Sequence, residues 1–582
     1  MSAAKPQGRR HLRNAKADDR PVRWGDEVLA ALVVTLGCTT EYVALGAQAT
    51  SHLPGAQAAA YGIMLGILTA VIGIPLAALG AGTRPMISGP RVASTILLSN
   101  LVRDLVANPA LAAQGMKAIV ALAGLAVLIS GLTQWIIGVR RGGSFVRKVP
   151  APVMSGLIFA VAGLAIADQA TFLTWCDLDW GPAALGIAAL GIAGHYGWRA
   201  LASQPRFGVK LPPGLSLFAA MVVASAAYYV VLTWLPAPPP GCRLVGIAGL
   251  DLSAWRPVDV SLWQHLSEST GIGVFVRVVA YGACIGFVSS LDTVIAVSTI
   301  ETLTHRRGTV DRDLKAFGLV NTLLGALCLL PCVGSVSRSN MAILSGAQSR
   351  AVAVLHALFV LVALTAGIGL VAMLPKLAVA VVVIAMSLDM VDEGARTITR
   401  LAFSDARPRS LIGPAMWLFA LEVGVTLVTG QPIVGVLVGF AFGMTIALPS
   451  PRRLVAAFSQ DGNTLRATVS GALLCYNVDS GLISPLLEQL DAQDADENDD
   501  DDDAKIRHIV IDMTTLARID LSATRALAQC RQLCDARGVA MRFVLPADAN
   551  ADVHRAMPLF LAPESLLIAQ APDDHPAAVP AH

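Results

Sequence analysis

Hydrophobic residues along this chain form long uninterrupted runs rather than the alternating pattern of half-buried strands. Runs of this length predict membrane-spanning helices. Twelve such segments lie near 28–50, 58–80, 115–138, 150–172, 181–200, 214–235, 271–300, 316–332, 349–374, 377–391, 410–429 and 431–448.

Two shorter apolar segments, near 90–105 and 337–347, each begin just after a Gly/Ser/Pro break. They occupy matching places in the two halves of the chain, so we count them as crossings that start inside the membrane. About fourteen segments, an odd number in each half, indicate a seven-plus-seven inverted repeat.

Basic residues are concentrated in five of the predicted loops, which end at Lys148, Lys210, Lys315, Arg409 and Arg453. With the N-terminus inside, all five fall on one side, in agreement with the positive-inside rule. We therefore predict a multi-pass protein of the cell membrane, a bacterial inner membrane, with a cytoplasmic N-terminal tail over 1–24 and a membrane domain over 25–450.

The composition changes after Pro451, where strand-like and amphipathic helical stretches alternate. That alternation predicts a small α/β domain over 463–570, joined by a linker over 451–462. An acidic insertion over 491–503 interrupts it, and we expect a disordered tail over 571–582. A run of like charges stays solvated, so we interpret the insertion as a surface loop.

Overall composition supports this division, because 55% of the residues are hydrophobic and 14% are charged. A soluble domain carries about 25% charged residues. The chain shows no nucleophile–base set, phosphate-binding glycine loop or metal-ligand cluster. We therefore expect no enzyme activity, no cofactor, no metal and no nucleic-acid partner; membrane lipid is the expected surrounding.

The two breaks, "SGPRVAST" and "GSVSRSNM", carry the candidate chemistry. A helix that starts within the membrane presents free N–H groups and the positive end of its dipole, which bind anions. Serine adds short hydroxyl donors and arginine a planar fork of donors. The candidate anion-binding residues are Ser88, Gly89, Arg91, Val92, Ser337, Arg338 and Ser339.

Four charges share this region: Glu41, Arg91, Asp292 and Arg338. One interpretation is that they form two structural ion pairs. The other is that Glu41 or Asp292 titrates, because a proton on either acid leaves the site positive and favours anion entry. The second interpretation predicts proton–anion symport.

Most of the chain resembles the sulfate permease (SulP) family of anion transporters, whose members carry a cytoplasmic STAS domain. The resemblance rests on "ISGPRVAS", on the stretch from "ETLTHRRGTVDRDLKAFGLVN" to "GSVSRSNMAILSGAQSRAVAVLHAL", and on "IDMTTLARIDLSATRAL", which is similar to a STAS loop. It implies an all-α, UraA-like membrane domain with core and gate parts, elevator-like transport, an anion site between the two half-helices, and a homodimer.

The sequence departs from the family pattern in three places. The Pro-Gln common to the family's first helix is absent, and "TEYVALGAQ" stands there. Sodium-coupled relatives pair an Asp with a Thr one turn later, whereas Asp292 is followed by Ala296, so protons are favoured over Na⁺ as the coupling ion. In the STAS loop, Leu521-Ser522-Ala523 stands where many relatives have Ser-Ser-Gly, and Ser522 corresponds to the residue that is phosphorylated in bacterial regulators of this fold. A regulatory site at Ser522 and a simple helix cap are both open, since serine caps helices well.

Three functions remain in view. The first is secondary active transport of a small inorganic or carboxylate anion such as sulfate, bicarbonate or a dicarboxylate. The second is nucleobase transport on the same architecture, which two arginines at the site and the STAS tail disfavour. The third is a STAS-signalling membrane scaffold with vestigial transport.

Overall fold

The chain is described by a computed structural model. It covers residues 23–54, 58–143, 151–174, 181–203, 212–235, 271–304, 308–367, 372–391, 409–429, 454–474, 477–495 and 505–547, with shorter pieces at 369, 396, 399–400, 434–435, 438–439, 441–443, 553–554, 557–559, 561 and 563–568.

The described residues of the first part of the chain form helices and one short strand, joined by loops. Its elements are α1 (Trp24–Ala49), α2 (Ala58–Gly80), β1 (Ser88–Gly89), α3 (Val92–Val106), α4 (Pro109–Gln114), α5 (Met116–Val139), α6 (Ala151–Thr174), α7 (Gly181–Ser203) and α8 (Ser216–Leu232).

The second part repeats this order. Its elements are α9 (Ile272–Thr304), α10 (Val310–Ala326), β2 (Val333–Gly334), α11 (Val336–Leu344), α12 (Ala351–Ala366), α13 (Lys376–Met390) and α14 (Arg409–Thr429). Among the described residues, five helical stretches are long and apolar enough to cross a membrane, namely Trp24–Ala49, Ala58–Gly80, Met116–Val139, Pro152–Gln169 and Ile272–Glu301.

These bounds confirm the predicted helical membrane domain. The two short segments are half-helices, α3 and α11, each preceded by an extended piece of chain. The predicted segment 431–448 lies largely outside the described residues.

The two extended pieces pair with each other as an antiparallel bridge. Ser88 lies opposite Gly334, and Gly89 lies opposite Val333. Because β1 and β2 each lead directly into a half-helix, this pairing brings the starts of α3 and α11 to the same place. The bridge is buried, and its hydrogen bonds satisfy backbone groups that lipid could not.

Glycines allow α5 and α10 to pack closely. A Cβ added at Gly124, Gly131, Gly318 or Gly325 would fall against the backbone of the facing helix. Small residues are the usual means by which membrane helices approach, since lipid supplies little hydrophobic drive for association. The closely packed pair α5 and α10 lies behind strand β2, which leads to α11.

Asn321 on α10 fixes the path of the chain into β2. Its amide oxygen accepts a hydrogen bond from the Cys332 N–H at 2.7 Å, and its nitrogen donates to the Cys332 carbonyl at 2.9 Å and to Gln134 Oε1 at 2.6 Å. Asn321 is fully buried. The Asn321 side chain thus bonds the Cys332 backbone as a neighbouring strand would.

The C-terminal part is the predicted α/β domain. Its elements are β3 (Val455–Asp461), β4 (Thr464–Leu473), α15 (Ser484–Ala495), β5 (His508–Asp512), β6 (Leu516–Ile519), α16 (Leu521–Ala536), β7 (Ala540–Leu545) and β8 (Leu566–Ile568). The strand order is β3-β4-β5-β7-β8, with β6 beside β4, and only the β3–β4 pair is antiparallel.

Two boundaries differ from the sequence prediction. Helix α15 includes residues 491–495, the start of the predicted acidic insertion 491–503, and the rest of that insertion lies outside the described residues. Residues 455–461, assigned to the linker 451–462, form strand β3. The reason is a tight hairpin at Gly462, whose φ of +52° suits glycine, so that Asp461 pairs with Thr464 and the two strands stay in register. The first strand of the domain therefore begins eight residues earlier than predicted.

The α/β domain lies against the membrane helices. Helix α16 packs against α6, α9 and α14, and Met416 of α14 joins the hydrophobic core of the α/β domain. A movement of α9 relative to α6 would therefore change the contacts of α16.

Removal of the Asn321 side chain tests its structural role. We expect Asn321→Ala to destabilise the protein by about 2–4 kcal/mol, because two backbone groups of Cys332 lose their partner in a buried place. Thermal unfolding in detergent measures the change. Thr322→Ala is the matched control, since the Thr322 hydroxyl bonds only within its own helix, to the Gly318 carbonyl. Equal unfolding temperatures for the two variants would contradict the role.

Candidate functional site

The site is built where the starts of α3 and α11 meet. Gly89 has a φ of +142°, and a Cβ there would lie 2.6 Å from Arg338 Nη1 and 3.1 Å from the Tyr42 ring. Only glycine fits this position, because any side chain would displace the guanidinium. The break in "SGPR" is therefore required by the close approach of the backbone to Arg338.

Arg338 is the centre of this arrangement and is fully buried. Its Nε and Nη2 donate to Glu41 Oε2 at 3.0 and 2.6 Å. Its Nη1 donates to the Ser88 carbonyl at 3.2 Å, and Nη2 also donates to the Pro90 carbonyl at 2.7 Å. One side chain of α11 thus ties α1 to the chain that enters α3.

Aromatic and histidine side chains hold the guanidinium from behind. The Tyr42 ring centre lies 4.8 Å from Arg338 Cζ, a cation–π distance. The Tyr42 hydroxyl lies 2.7 Å from His356 Nε2, and His356 Nδ1 lies 2.8 Å from the Thr35 hydroxyl. The Thr35 hydroxyl donates to the Ala31 carbonyl at 2.7 Å, so we assign the His356 proton to Nδ1 and the donor role at Nε2 to Tyr42.

Serines join the two half-helices directly. Ser335 is the N-cap of α11, and its side chain accepts from the Arg338 N–H at 3.4 Å. Its own N–H donates to the Ile87 carbonyl at 3.0 Å, and Ser339 Oγ accepts from the Ile87 N–H at 3.0 Å. Ser337 is exposed, with its Oγ 3.3 Å from that of Ser335.

A second ion pair lies beside the first and is looser. Arg91 Nε lies 3.9 Å from Asp292 Oδ2, and the two side chains are 26% and 18% exposed. Arg91 Nη1 donates to Ser335 Oγ at 3.3 Å, while Arg91 Nε makes no hydrogen bond. By contrast, the side chains of Arg338 and Glu41 are 1% and 10% exposed.

The structure thus brings the candidate residues together around one point. Six of the seven line the junction or its rim, and the seventh, Val92, is the buried first residue of α3. The four charges form one tight pair and one open pair. Both acids were candidates for the titrating group, and the geometry separates them by their accessibility.

Sequence reasoning missed the support behind Arg338. Tyr42 and His356 are 314 positions apart, and no local pattern predicts that they meet. The one available signal was a tyrosine directly after Glu41 in a largely apolar helix. Thr35 lies two turns earlier on the same face of α1, as the 3.6-residue period requires.

Polar contacts also join the far ends of α1, α3 and α6. Gln169 Nε2 donates to Gln48 Oε1 at 2.5 Å. Asp168 lies 3.9 Å from Arg103 Nη1 and 3.7 Å from His52 Nε2. These contacts connect α6 with the helices of the site, on the side of the site toward which α3 runs.

The α/β domain corrects one detail of the sequence reasoning. Helix α16 is capped by Asp520, whose carboxylate accepts from the Ala523 N–H at 2.7 Å. Ser522 is the second residue of the helix and not its cap. The capping alternative for Ser522 is therefore wrong, because Asp520 already satisfies the first turn.

Two family models match the chain. The sulfate permease family model matches residues 52–177 and 264–407, and the STAS domain model matches 457–561. The first model includes β1, α3, β2 and α11, together with Arg91, Asp292 and Arg338.

A curated relative is the bicarbonate transporter BicA of Picosynechococcus. It is 23% identical over 395 residues, which are 66% of this chain and 63% of that protein. The chain therefore aligns with somewhat less than two thirds of that relative's length.

Solved structures agree in fold. The transmembrane domain of a cyanobacterial bicarbonate transporter BicA superimposes with a TM-score of 0.53 at 18% identity, covering 71% of this chain and 97% of that one. Murine solute carrier 26 family member A9, an anion transporter in the inward-facing state, gives 0.56 at 14% identity and covers 94% and 89%.

The tight ion pair gives a stability prediction. Glu41→Ala leaves the Arg338 charge buried without a partner, and breaking a buried pair in this way costs about 3–5 kcal/mol. Asp292→Ala opens a partly solvated pair and should cost about 1 kcal/mol or less. Thermal unfolding of both variants in the same detergent compares them, and an equal loss would contradict the distinction between the two pairs.

Proposed function

We propose, from the premise that this chain belongs to the sulfate permease family and carries a STAS domain, that it transports a small anion across the membrane with a proton. The anion would bind between the starts of α3 and α11, at Arg91 and the free N–H groups there. The proton would bind at Asp292. The single observation that carries this proposal is the convergence of two half-helix starts and four mutually neutralising charges.

Charge balance explains why a proton would accompany the anion. With both acids ionised, Arg91 and Arg338 cancel Glu41 and Asp292, so the formal charge of the four side chains is zero. A neutral site at membrane depth gains little from an entering anion. Protonation of one acid leaves a charge of +1, and the helix ends add further positive potential.

The geometry favours Asp292 over Glu41 as the proton acceptor. Glu41 Oε2 accepts two hydrogen bonds from Arg338, and a proton on Glu41 would break the pair that holds α1 to α11. Asp292 lies 3.9 Å from Arg91, and no short hydrogen bond would be lost. Protonation of Asp292 would release Arg91 without disturbing the frame.

The same comparison separates the roles of the arginines. All three nitrogens of Arg338 already donate, to Glu41 and to two carbonyls. Arg91 Nε is itself buried and has no hydrogen-bond acceptor among the described residues, while the Arg91 side chain as a whole is about a quarter exposed. We therefore assign anion contact to Arg91, with the exposed Ser337 beside it, and a positioning role to Arg338.

Alternating access fits the contacts of α6. The bonds of Gln48, His52 and Arg103 to Gln169 and Asp168 close the side of the site toward which α3 runs. For the anion to leave on that side, α6 would have to separate from α1 and α3. An elevator-like movement of the group that holds α1, α3 and α9 against the group that holds α6 and α14 would do this. Helix α16 contacts α9 of the first group and α6 and α14 of the second.

For the substrate, the proposal is a small oxyanion or carboxylate. One relative is named a bicarbonate transporter, which places bicarbonate beside sulfate and a dicarboxylate such as fumarate. Uptake of each labelled anion into proteoliposomes identifies the substrate. Sodium remains disfavoured, because Ala296 offers no oxygen one turn after Asp292. We further propose a homodimer in the cell membrane with the N-terminus and the STAS domain in the cytoplasm.

The alternatives are tested by the same preparation. A nucleobase transporter would take up labelled uracil and not the anions. A scaffold with vestigial transport would move neither, at any pH gradient, and that result would end the transport proposal.

Asp292→Asn tests the coupling. Uptake by the wild-type protein should rise as the external pH falls, because a proton on Asp292 turns the site positive. The amide is permanently neutral, so the variant should bind the anion at all pH values from 5 to 8 with the pH dependence lost. The measurement is the pH profile of the apparent affinity in proteoliposomes. A wild-type profile in this variant would remove Asp292 from the coupling.

Arg91→Gln tests the anion contact. Loss of a charge-assisted contact of about 1.5–3 kcal/mol predicts a roughly 10- to 150-fold weaker apparent affinity. Arg140→Gln is the control, because Arg140 is an exposed arginine that follows the C-terminal end of α5, outside the site and its closing contacts. An unchanged affinity in the Arg91 variant would show that the anion binds elsewhere.

A further inference from the structure

Three arginines from different parts of the chain converge at the end of α2, away from the site. Arg350, just before α12, donates from Nη2 to the Ala81 carbonyl. Arg312, in the first turn of α10, has its Cδ 3.1 Å from where a Cβ would stand on Gly82. Arg84 follows two residues later in the same loop and is exposed.

No carboxylate forms an ion pair with this group in the described part of the chain, although the charge of Asp313 acts on Arg312 and Arg350. Arg84, Arg312 and Arg350 form no ion pair there within 4 Å. The nearest acid, Asp313, is engaged elsewhere: its Oδ1 accepts from the Gly82 and Thr83 N–H groups at 2.5 and 3.2 Å. Its Oδ2 accepts from the Thr83 hydroxyl at 2.5 Å.

One nitrogen of the cluster is buried without a partner. Arg350 Nε makes no hydrogen bond and is shielded from solvent. Burial, and then the like charges of Arg84 and Arg312, lower the pKa of the Arg350 guanidinium, although an arginine remains charged at neutral pH. Three like charges thus lie close together beside an N–H donor that no described residue accepts.

The neighbouring acids are also committed to backbone groups. Glu27 Oε1 accepts from the Gln348 and Ser349 N–H groups at 2.8 Å each, and Asp311 Oδ1 accepts from the Gly143 N–H at 3.1 Å. Each of these acids therefore accepts hydrogen bonds from the backbone of a loop rather than pairing with an arginine. The positive charge of Arg84, Arg312 and Arg350 is left for a ligand from outside the chain.

We infer that Arg84, Arg312 and Arg350 form a second anion site, for a phosphate group, on the face predicted to be cytoplasmic. Guanidinium forks match phosphate oxygens in geometry and charge. Two sources supply that chemistry on this face, the phosphate of an anionic lipid headgroup and a free phosphate. The site lies outside the proposed transport site and does not depend on its mechanism.

The location gives such a ligand an effect on the transport site. The loop from Ala81 to Ile87 begins at the arginine cluster and ends at β1, which leads into α3. A phosphate that holds Arg84, Arg312 and Arg350 together would fix the ends of α2, α10 and α12 at the start of that loop. It would thereby stabilise the frame on which Ser88 to Arg91 are placed.

The test uses the full-length protein and the double variant Arg84→Gln/Arg312→Gln. Both side chains are exposed and form no hydrogen bond with the described residues, so the change should leave folding intact. Arg396→Gln/Arg400→Gln is the matched control, since it also removes two exposed charges. Arg84→Lys/Arg312→Lys keeps the charge and removes the fork. Native mass spectrometry counts bound phosphatidylglycerol, and thermal shift measures protection by phosphatidylglycerol or by inorganic phosphate.

We expect the double glutamine variant to bind phosphate-bearing ligand about 30-fold more weakly, from about 1 kcal/mol for each arginine. The control should match the wild type, and the lysine variant should fall between. Protection by phosphatidylglycerol alone assigns the site to a lipid, and protection by inorganic phosphate in lipid-free detergent assigns it to a free phosphate. Equal binding of both ligands by the double glutamine variant and the control would overturn the inference.

Should the double glutamine variant unfold, Arg84→Gln alone carries the test. Arg84 is exposed and forms no hydrogen bond in the described structure, and an approximately 5-fold weaker affinity is expected from one charge. Binding equal to the wild type in that variant would contradict the site. None of these outcomes bears on the Asp292 profile, so the second site and the transport proposal fail or stand separately.

Discussion

The burial of Arg338 is the constraint on which the rest of the membrane domain depends. A guanidinium without solvent must have every donor satisfied and its charge paired. Glu41 supplies the charge, and the carbonyls of Ser88 and Pro90 supply the remaining acceptors. Those carbonyls are available only because the chain is extended there rather than helical. The burial of this one cation accounts for the helix break, the glycine at position 89 and the β1–β2 bridge.

The site contains two arginine–carboxylate pairs that differ in length and in exposure to solvent. The Arg338–Glu41 pair is dry and short, and it joins α1, α11 and the entry to α3. The Arg91–Asp292 pair is longer and partly solvated, at 3.9 Å. On the proposal that Asp292 takes up the proton, these opposite properties suit the two pairs, since Arg338–Glu41 must resist protonation and Arg91–Asp292 must allow it. The structure places them within one cluster of charges, so that a change in one acts on the potential at the other.

The sequence predicted much of this, for physical reasons that can be stated. Long apolar runs and loop charges determine where helices lie, and the breaks at Pro90 and Gly334 marked the half-helices. The pairing of the charges was not predictable, because either arginine could have met either acid across a helix bundle. Tyr42 and His356 were missed since their contact depends on tertiary packing alone. Strand β3 was taken for linker because its side chains are mostly exposed and carry little hydrophobic signal.

The central claim is that the site takes up one proton with each anion. Isothermal titration calorimetry of the purified protein with sulfate or fumarate, in buffers of different ionisation enthalpy, counts the protons exchanged on binding. Neither anion titrates near neutral pH, so the count belongs to the protein. The account predicts uptake of about one proton per anion bound near neutral pH, where both acids start ionised. Binding with no proton uptake would contradict it.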